Sequence, residues 1–216
     1  FFKKRIDQIP YSIESTIAEI DTLFFKTYKW YEIYNFIEAC IEYFPFDEKK
    51  EDFIILLNDC LEIENSAYRV INYQITPITS EQEIQSIEQA IENTNPYSGV
   101  QQHLNQALKL MSDRQNPDYR NSIKESISAL EGICKIIANK ENAGFQETLA
   151  IIQNKYDLHK SLKEGFVKFY GYTSNGDGIR HAMLEESNLS YIDAKFMLVA
   201  CTNFINYLIE KTTDQN

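Results

Sequence analysis

The sequence predicts an all-α protein, mainly a helical bundle, with one short β-hairpin in its N-terminal part. Apolar residues recur at spacings of three and four along most of the chain, which is the period of amphipathic helices. The 216 residues include only 7 Gly and 5 Pro, which is too few for the many turns of a β-rich fold. Hydrophobic residues make up 44% of the chain, so it can bury a core and disorder is not indicated.

Three amphipathic helices are predicted in the first third of the chain. The first begins after Ser12, and the second runs from Trp30 to Pro45. Asp47 is expected to cap the N-terminus of the third, because a carboxylate there accepts from free backbone N–H groups.

The segment at 68–79 interrupts the helical pattern and is predicted to form a short hairpin. Its β-branched and polar residues alternate around Asn72 and Tyr73, as they do in two strands joined by a tight turn. Ser80 and Glu83 then form a capping-box pattern, which starts a helix running to about Glu92.

The Asn-Thr-Asn-Pro run at 93–96 is interpreted as a domain boundary. It divides an acidic helical domain, residues 1–95, from a second helical domain, residues 96–216. The first carries 8 basic and 18 acidic residues and the second 13 basic and 14 acidic. Because the first half repels a polyanion, nucleic acid is expected only at the second half.

The second domain is predicted to consist of helices with short connections. The stretch Gly171–Gly178 holds three of the seven glycines and is predicted to be a loop. The final helix begins after a Ser190/Asp193 cap, and four of its apolar residues are expected at the centre of the bundle: Phe196, Val199, Phe204 and Leu208. Asp118 is predicted to cap the long second helix of this domain. The predicted helices run from about Ser98 to Met111, from Asp118 through Ile137, around Leu149–Ile152, from Leu158 to Tyr170, and from Tyr191 to Glu210.

The four cysteines, Cys40, Cys60, Cys134 and Cys201, lie in apolar helical stretches without paired spacing. They are interpreted as buried, reduced thiols, with a metal or redox role as the alternative. We recognise no targeting segment and no continuous apolar run of membrane-spanning length, so a cytoplasmic protein without membrane association is expected. Since the chain opens with Phe1, native N-terminal residues are expected to be missing.

The three histidines are the candidates for proton transfer at neutral pH. His181 adjoins Arg180 after the glycine-rich stretch, at the predicted start of a helix, where backbone N–H groups favour anions. The alternative is that His181 packs as a satisfied interior residue and that Arg180 bonds loop carbonyls. His103, in the middle of a polar helix, is interpreted as an ordinary surface residue.

The third histidine, His159, begins a basic stretch that includes Lys160 and Lys163. Between residues 155 and 181 five basic residues face three acidic ones, which makes this the candidate phosphate-facing surface of an acidic protein. His159 is interpreted either as a phosphate contact or as a solvated residue.

Three runs of the second half resemble the C-terminal HEPN-like domain of AbiJ-type abortive-infection proteins, which act in prokaryotic antiphage defence. The most specific part of this resemblance is the run GYTSNGDGIRHA at 171–182. Two earlier runs, at 29–40 and 68–91, resemble the N-terminal domain that accompanies it. The three runs of the second half are residues 117–137, 158–186 and 193–209.

The resemblance implies a metal-independent endoribonuclease that works as a homodimer on RNA and uses no cofactor. The family motif is an arginine followed a few residues later by a histidine. This sequence departs from it: Arg180 directly precedes His181, and Asn175 stands where the motif arginine is expected. Arg120 is predicted to supply the missing cation from the long second-domain helix, oriented by Glu125 or Glu131.

These inferences give one predicted site and one competing function. The catalytic residues are His181, Arg180 and Arg120, and no metal ligand is assigned. The alternative is a catalytically inactive helical module, which binds a protein partner or a nucleotide signal through the acidic, aromatic-rich first half. Metalloenzyme and phosphate-loop chemistry are disfavoured, because the ligand spacings and the glycine-lysine pair that they require do not occur. The predicted substrate-binding residues are Asn175, Lys163, His159 and Lys160.

Overall fold

The computed structural model describes residues 11–64, 66–78, 80–175 and 189–213. They form helices joined by short connections, with one two-stranded sheet, which confirms the predicted fold class. Helix α1 continues into a π-helical turn, Leu23–Thr27. The helices are α1 Ile13–Thr22, α2 Trp30–Glu42, α3 Asp47–Ile63, α4 Glu81–Asn93, α5 Ser98–Ser112, α6 Tyr119–Ala138, α7 Phe145–Tyr156, α8 Lys160–Asn175 and α9 Tyr191–Thr213.

The predicted hairpin is confirmed. Strands β1, Arg69–Ile71, and β2, Gln74–Thr76, pair antiparallel. Asn72 and Tyr73 form the turn with φ values of 45° and 66°. Positive φ at both central positions is the turn geometry whose twist matches that of the flanking strands.

Side chains from α2, α3 and the loop after α5 complete the hydrogen bonding of this isolated hairpin. The Asn58 amide accepts from the Val70 N–H at 2.7 Å and donates to the Val70 carbonyl at 3.1 Å. On the other strand, the Ile75 N–H donates to Glu38 at 2.7 Å and the Ile75 carbonyl accepts from Arg114 at 3.0 Å. Because two strands alone are marginal in water, these bonds and the burial of both residues hold the hairpin in place.

One large core joins the hairpin to helices α4–α9. Its members include Ile71 from β1, Ile87 from α4 and Leu130 from α6. Helix α4 packs against α9, and α6 packs between α5, α7 and α9. A smaller cluster of Ile41, Leu61, Val70 and Ile75 lies under α2 and α3. The predicted boundary near residue 95 remains a prediction.

Three predicted caps are confirmed and one is displaced. The Ser80 hydroxyl accepts from the Glu83 N–H at 3.4 Å. The Asp118 carboxylate accepts from the Asn121 N–H at 3.0 Å, and the Ser190 N–H donates to Asp193 at 2.8 Å. Asp47 is the first residue of α3 and Phe46 holds the cap position, so the predicted cap was wrong by one residue.

The predicted loop at Gly171–Gly178 is wrong for its first five residues. Helix α8 continues through Gly171 to Asn175, and residues 176–178 lie outside the described part. Thr173 is buried and its hydroxyl donates to the Tyr170 carbonyl at 2.8 Å. The helix therefore tolerates the cost of about 1 kcal/mol that a glycine adds inside it.

Two burial predictions are also wrong. Phe196 is 61% exposed and Val199 is half-buried, although Phe204 and Leu208 of the same helix are buried as predicted. Cys60 is exposed and Cys40 is half-buried, whereas Cys134 and Cys201 are buried. Burial raises the pKa of the Cys134 and Cys201 thiols far above their ordinary value, which keeps both protonated.

Helix α9 is also long and apolar enough to cross a membrane, with a mean hydropathy of 1.2 over its best window. Half of that window is buried inside the protein. It packs against α4, α5 and α6, as the central helix of a bundle does.

Candidate functional site

The predicted catalytic pair, Arg180 and His181, lies outside the described residues, and so does the Asn175 side chain. Arg120, the third predicted catalytic residue, is half-buried in the first turn of α6. The rings of the adjacent Tyr119 and of Tyr191, the first residue of α9, are 6.5 Å apart. Arg120 therefore lies near the start of α9.

Stacked aromatic rings show that α8 runs antiparallel to α9. Phe166 stacks on Phe204 with centroids 3.4 Å apart. Phe169, which is later in α8, meets Phe196, which is earlier in α9, edge-on at 6.1 Å. The last turn of α8 therefore lies at the end of the bundle where α9 begins. The chain leaves α8 and enters α9 at the same end that carries Arg120.

The two carboxylates predicted to orient Arg120 have other partners. Glu125 is 2.6 Å from Nδ1 of His103, so the histidine interpreted as an ordinary surface residue is held by an acid from the neighbouring helix. Glu131 pairs with Lys135 at 3.2 Å and accepts from the Tyr170 hydroxyl at 3.5 Å.

The other three predicted substrate-binding residues lie at or next to the opposite, N-terminal end of α8. Nδ1 of His159 accepts from the Ser161 N–H at 3.2 Å, and Lys160 pairs with Glu164 at 3.8 Å. At about 1.5 Å per residue, His159 lies roughly 24 Å along the helix axis from Asn175. His159, Lys160 and the half-buried Lys163 are therefore not brought together with Arg120.

Sequence reasoning missed a cluster centred on Arg114, whose side chain is only 5% exposed. Its Nε and Nη2 donate to Asn35. Its Nη1 and Nη2 donate to Glu38, and Nη1 also donates to Ile75 O. All five guanidinium N–H groups are thereby used, and the charge is balanced by Glu38. The Tyr34 ring covers the guanidinium, with Cζ 5.8 Å from its centroid.

A cleft of about 820 Å³ opens beside this cluster, between α2, the hairpin turn and the end of α5. Because Arg114 is saturated, the remaining polar lining consists mainly of carboxamides. Two exposed carboxylates, Glu42 and Asp113, and two lysines, Lys50 and Lys109, complete it. One carboxamide pair crosses the cleft, since Asn72 donates to Asn105 at 2.8 Å. Carboxamides present a donor beside an acceptor, which is the pattern that reads the edges of nucleobases. The lining carboxamides are Asn35, Asn72, Gln74, Asn105, Gln115 and Asn116.

A neighbouring acidic cleft of about 590 Å³ contains Glu51, Glu88 and Glu92. Burial raises the pKa of Glu88, and the charge of Glu51 raises it further, while a hydrogen bond with the Asn72 backbone lowers it. Within the described part of the chain, no group of three or more histidine, cysteine or acidic side chains is placed to hold a metal ion.

Residues 1–93 match the family model described as AbiJ N-terminal domain 4. The matched range includes the acidic N-terminal helices and the hairpin. The match suggests an abortive-infection, antiphage role for the chain. No curated protein and no solved structure was found to match the chain.

Proposed function

We propose that this is an antiphage abortive-infection protein that works in the cytoplasm as a homodimer, with C-terminal helices that bind RNA and cleave it without a metal. The observation that carries the proposal is the placement of Arg120 at the end of the bundle where α8 ends and α9 begins. The AbiJ match of residues 1–93 supports the defence role. The nearly balanced charge of residues 96–216 makes that half the better surface for a polyanion.

In the proposed reaction His181 removes the proton of a ribose 2′-hydroxyl, and the oxygen attacks the adjacent phosphorus. The bond to the 5′-oxygen breaks, and that oxygen takes up a proton as it leaves. Arg180 and Arg120 stabilise the charge that develops on the phosphoryl oxygens. Asn175, Lys163, Lys160 and His159 extend the contact with the RNA backbone along α8.

The test is cleavage of total tRNA by the purified chain in EDTA. We expect His181→Ala to abolish cleavage, while Arg120→Ala reduces it about 100-fold, in the range of losses seen when one charge-stabilising donor is removed. Lys140→Ala is the matched control, because Lys140 is an exposed cation just beyond the opposite end of α6 from Arg120, and it should cut at the parental rate. Equal, negligible cutting by the parent and by His181→Ala would remove the nuclease proposal.

A second candidate function is a catalytically inactive module that senses a nucleotide signal or a protein partner through the first half of the chain. The carboxamide-lined cleft beside Arg114 favours it. The expected result is a rise in melting temperature with mononucleotides that is lost in Asn105→Leu, which breaks the bond to Asn72 and removes one lining carboxamide. Lys124→Gln, on the exposed face of α6, is the control.

A further inference from the structure

A small aromatic pocket of about 510 Å³ opens between the start of α2, the end of α3 and the chain that leads into β1. Its walls include the rings of Trp30, Tyr34 and Tyr68. Trp30 meets Tyr34 at 6.0 Å with an 82° interplanar angle, and Tyr68 lies 5.9 Å from Trp30 and 5.1 Å from Tyr34. Three rings tilted against one another therefore line a single concave site.

The remaining lining is mostly apolar, with one acidic group at the end of α3, the thiol of Cys60, and the Ser66 hydroxyl, which is hydrogen-bonded to the Tyr34 hydroxyl at 3.1 Å. Leu57, Leu61 and Ala67 contribute apolar surface, and Glu64 contributes a carboxylate. Trp30 stays 54% exposed, so the largest ring of the pocket is accessible to a ligand.

We propose that this pocket binds an organic ammonium cation, with the positive group against the rings and Glu64 at its rim. The faces of aromatic rings are electron-rich, and they attract ammonium groups most strongly where water is partly excluded. The chain from Trp30 to Tyr68, which supplies every lining residue, carries 10 acidic and 2 basic residues. Its field therefore favours a cation over an anion or a neutral apolar ligand.

The neighbouring cations leave the pocket available. Arg114 lies against Tyr34, but its charge is taken up by Glu38. Arg69 donates to the carbonyls of Ser66 and Tyr68 at 2.9 and 2.8 Å. Lys29 lies 5.8 Å from the centroid of Tyr31, outside the lining, which shows the same cation–ring contact one residue away from Trp30. The site is independent of the proposed RNA chemistry.

Trp30 is the single tryptophan of the chain, so its fluorescence reports directly on the pocket. The parent protein is titrated with choline at constant ionic strength, and in parallel with 3,3-dimethylbutan-1-ol, the neutral carbon analogue of choline. We expect a saturable change with choline and at least tenfold weaker binding of the neutral analogue. A second arm uses a short peptide bearing trimethyl-lysine; saturation by the peptide alone would identify a side chain as the source of the ammonium group.

Variants distinguish the contribution of the aromatic rings to binding from that of the overall acidic charge. Tyr68→Leu should weaken choline binding about tenfold, and Glu64→Gln should weaken it by a smaller factor. Glu62→Gln, an exposed acid on the same helix outside the lining, is the matched control and should bind like the parent. The neutral analogue makes the test independent of whether Tyr68→Leu folds. Equal binding of choline and its neutral analogue, or no saturable signal with either choline or the peptide, would overturn the proposal.

Discussion

Helices α1–α3 and helices α4–α9 are both rich in apolar residues, but they use them differently. No residue of α1 is buried, and Ile41 is the single buried residue of α2. Helices α6 and α9 each bury nine residues. Large apolar side chains stand exposed along the first three helices and their connections, among them Ile13, Ile17, Phe25, Trp30, Ile55 and Leu56. The comparison teaches that α4–α9 form the buried scaffold, whereas α1–α3 leave much of their apolar and aromatic surface exposed.

Replacing one aliphatic side chain in each region should give the largest contrast. Leu130→Ala, in the centre of α6, removes a side chain with 0% exposure, and we expect it to lower the free energy of unfolding by about 2–5 kcal/mol. Ile17→Ala, on α1, removes a side chain that is 54% exposed and should change stability by less than about 0.5 kcal/mol. Urea titrations monitored by circular dichroism measure both, and similar losses would break the comparison.

Sequence reasoning succeeded where local physics decides the outcome. The hairpin follows from alternation around Asn72 and Tyr73, and the Asp118 cap follows from one carboxylate before a helix. It failed in α9, because that helix is apolar on nearly every face and periodicity cannot choose which side meets the core. Phe196 was therefore assigned to the interior. In α8, Gly171 suggested a loop, although burial of Thr173 keeps the segment helical.

Arg114 tests how the two regions are joined, because it links the loop after α5 to α2 and β2. Arg114→Met leaves the Glu38 carboxylate without its cation and the Ile75 carbonyl without its donor. We expect a loss of about 2–3 kcal/mol, below the ~3–5 kcal/mol of a fully buried pair, since the Glu38 side chain is 29% exposed. Arg114→Lys should recover only part of the loss, because an ammonium cannot reproduce the planar set of five donors.

A double-mutant cycle separates the ion pair from packing. Adding Glu38→Gln to Arg114→Met should cost less than the sum of the two single changes, because no unpaired charge then remains. Additive losses would show that Arg114 acts through packing alone. The matched control is Lys109→Met, at an exposed position on the same rim of the cleft.

The site was less predictable than the fold because its contacts are distant in sequence. Arg114 contacts Glu38, 76 positions earlier in the sequence, and Asn35, 79 positions earlier. No short-range sequence pattern predicts either contact. The His103–Glu125 pair likewise joins two helices across 22 positions. The aromatic pocket combines residues from α2, α3 and the hairpin, so only the folded chain brings Trp30 to Tyr68.

The smallest expected effect concerns Glu88, at the acidic cleft where the two regions meet. Its pKa in the folded protein is raised above the ordinary value of 4.5 by burial and then by Glu51, so the folded state holds the proton more tightly than the unfolded chain. The stabilisation that this gives is complete below the ordinary pKa and is lost as the pH rises through the raised one.

Glu88→Gln, which resembles the protonated form, should therefore be slightly more stable than the parent at pH 7, and the two should converge near pH 4. Glu141→Gln, in an exposed loop, is the control, and urea titrations at both pH values give the result. A difference that stays constant with pH would mean that Glu88 is not strained by its surroundings, and that the contact between the regions carries no electrostatic cost there.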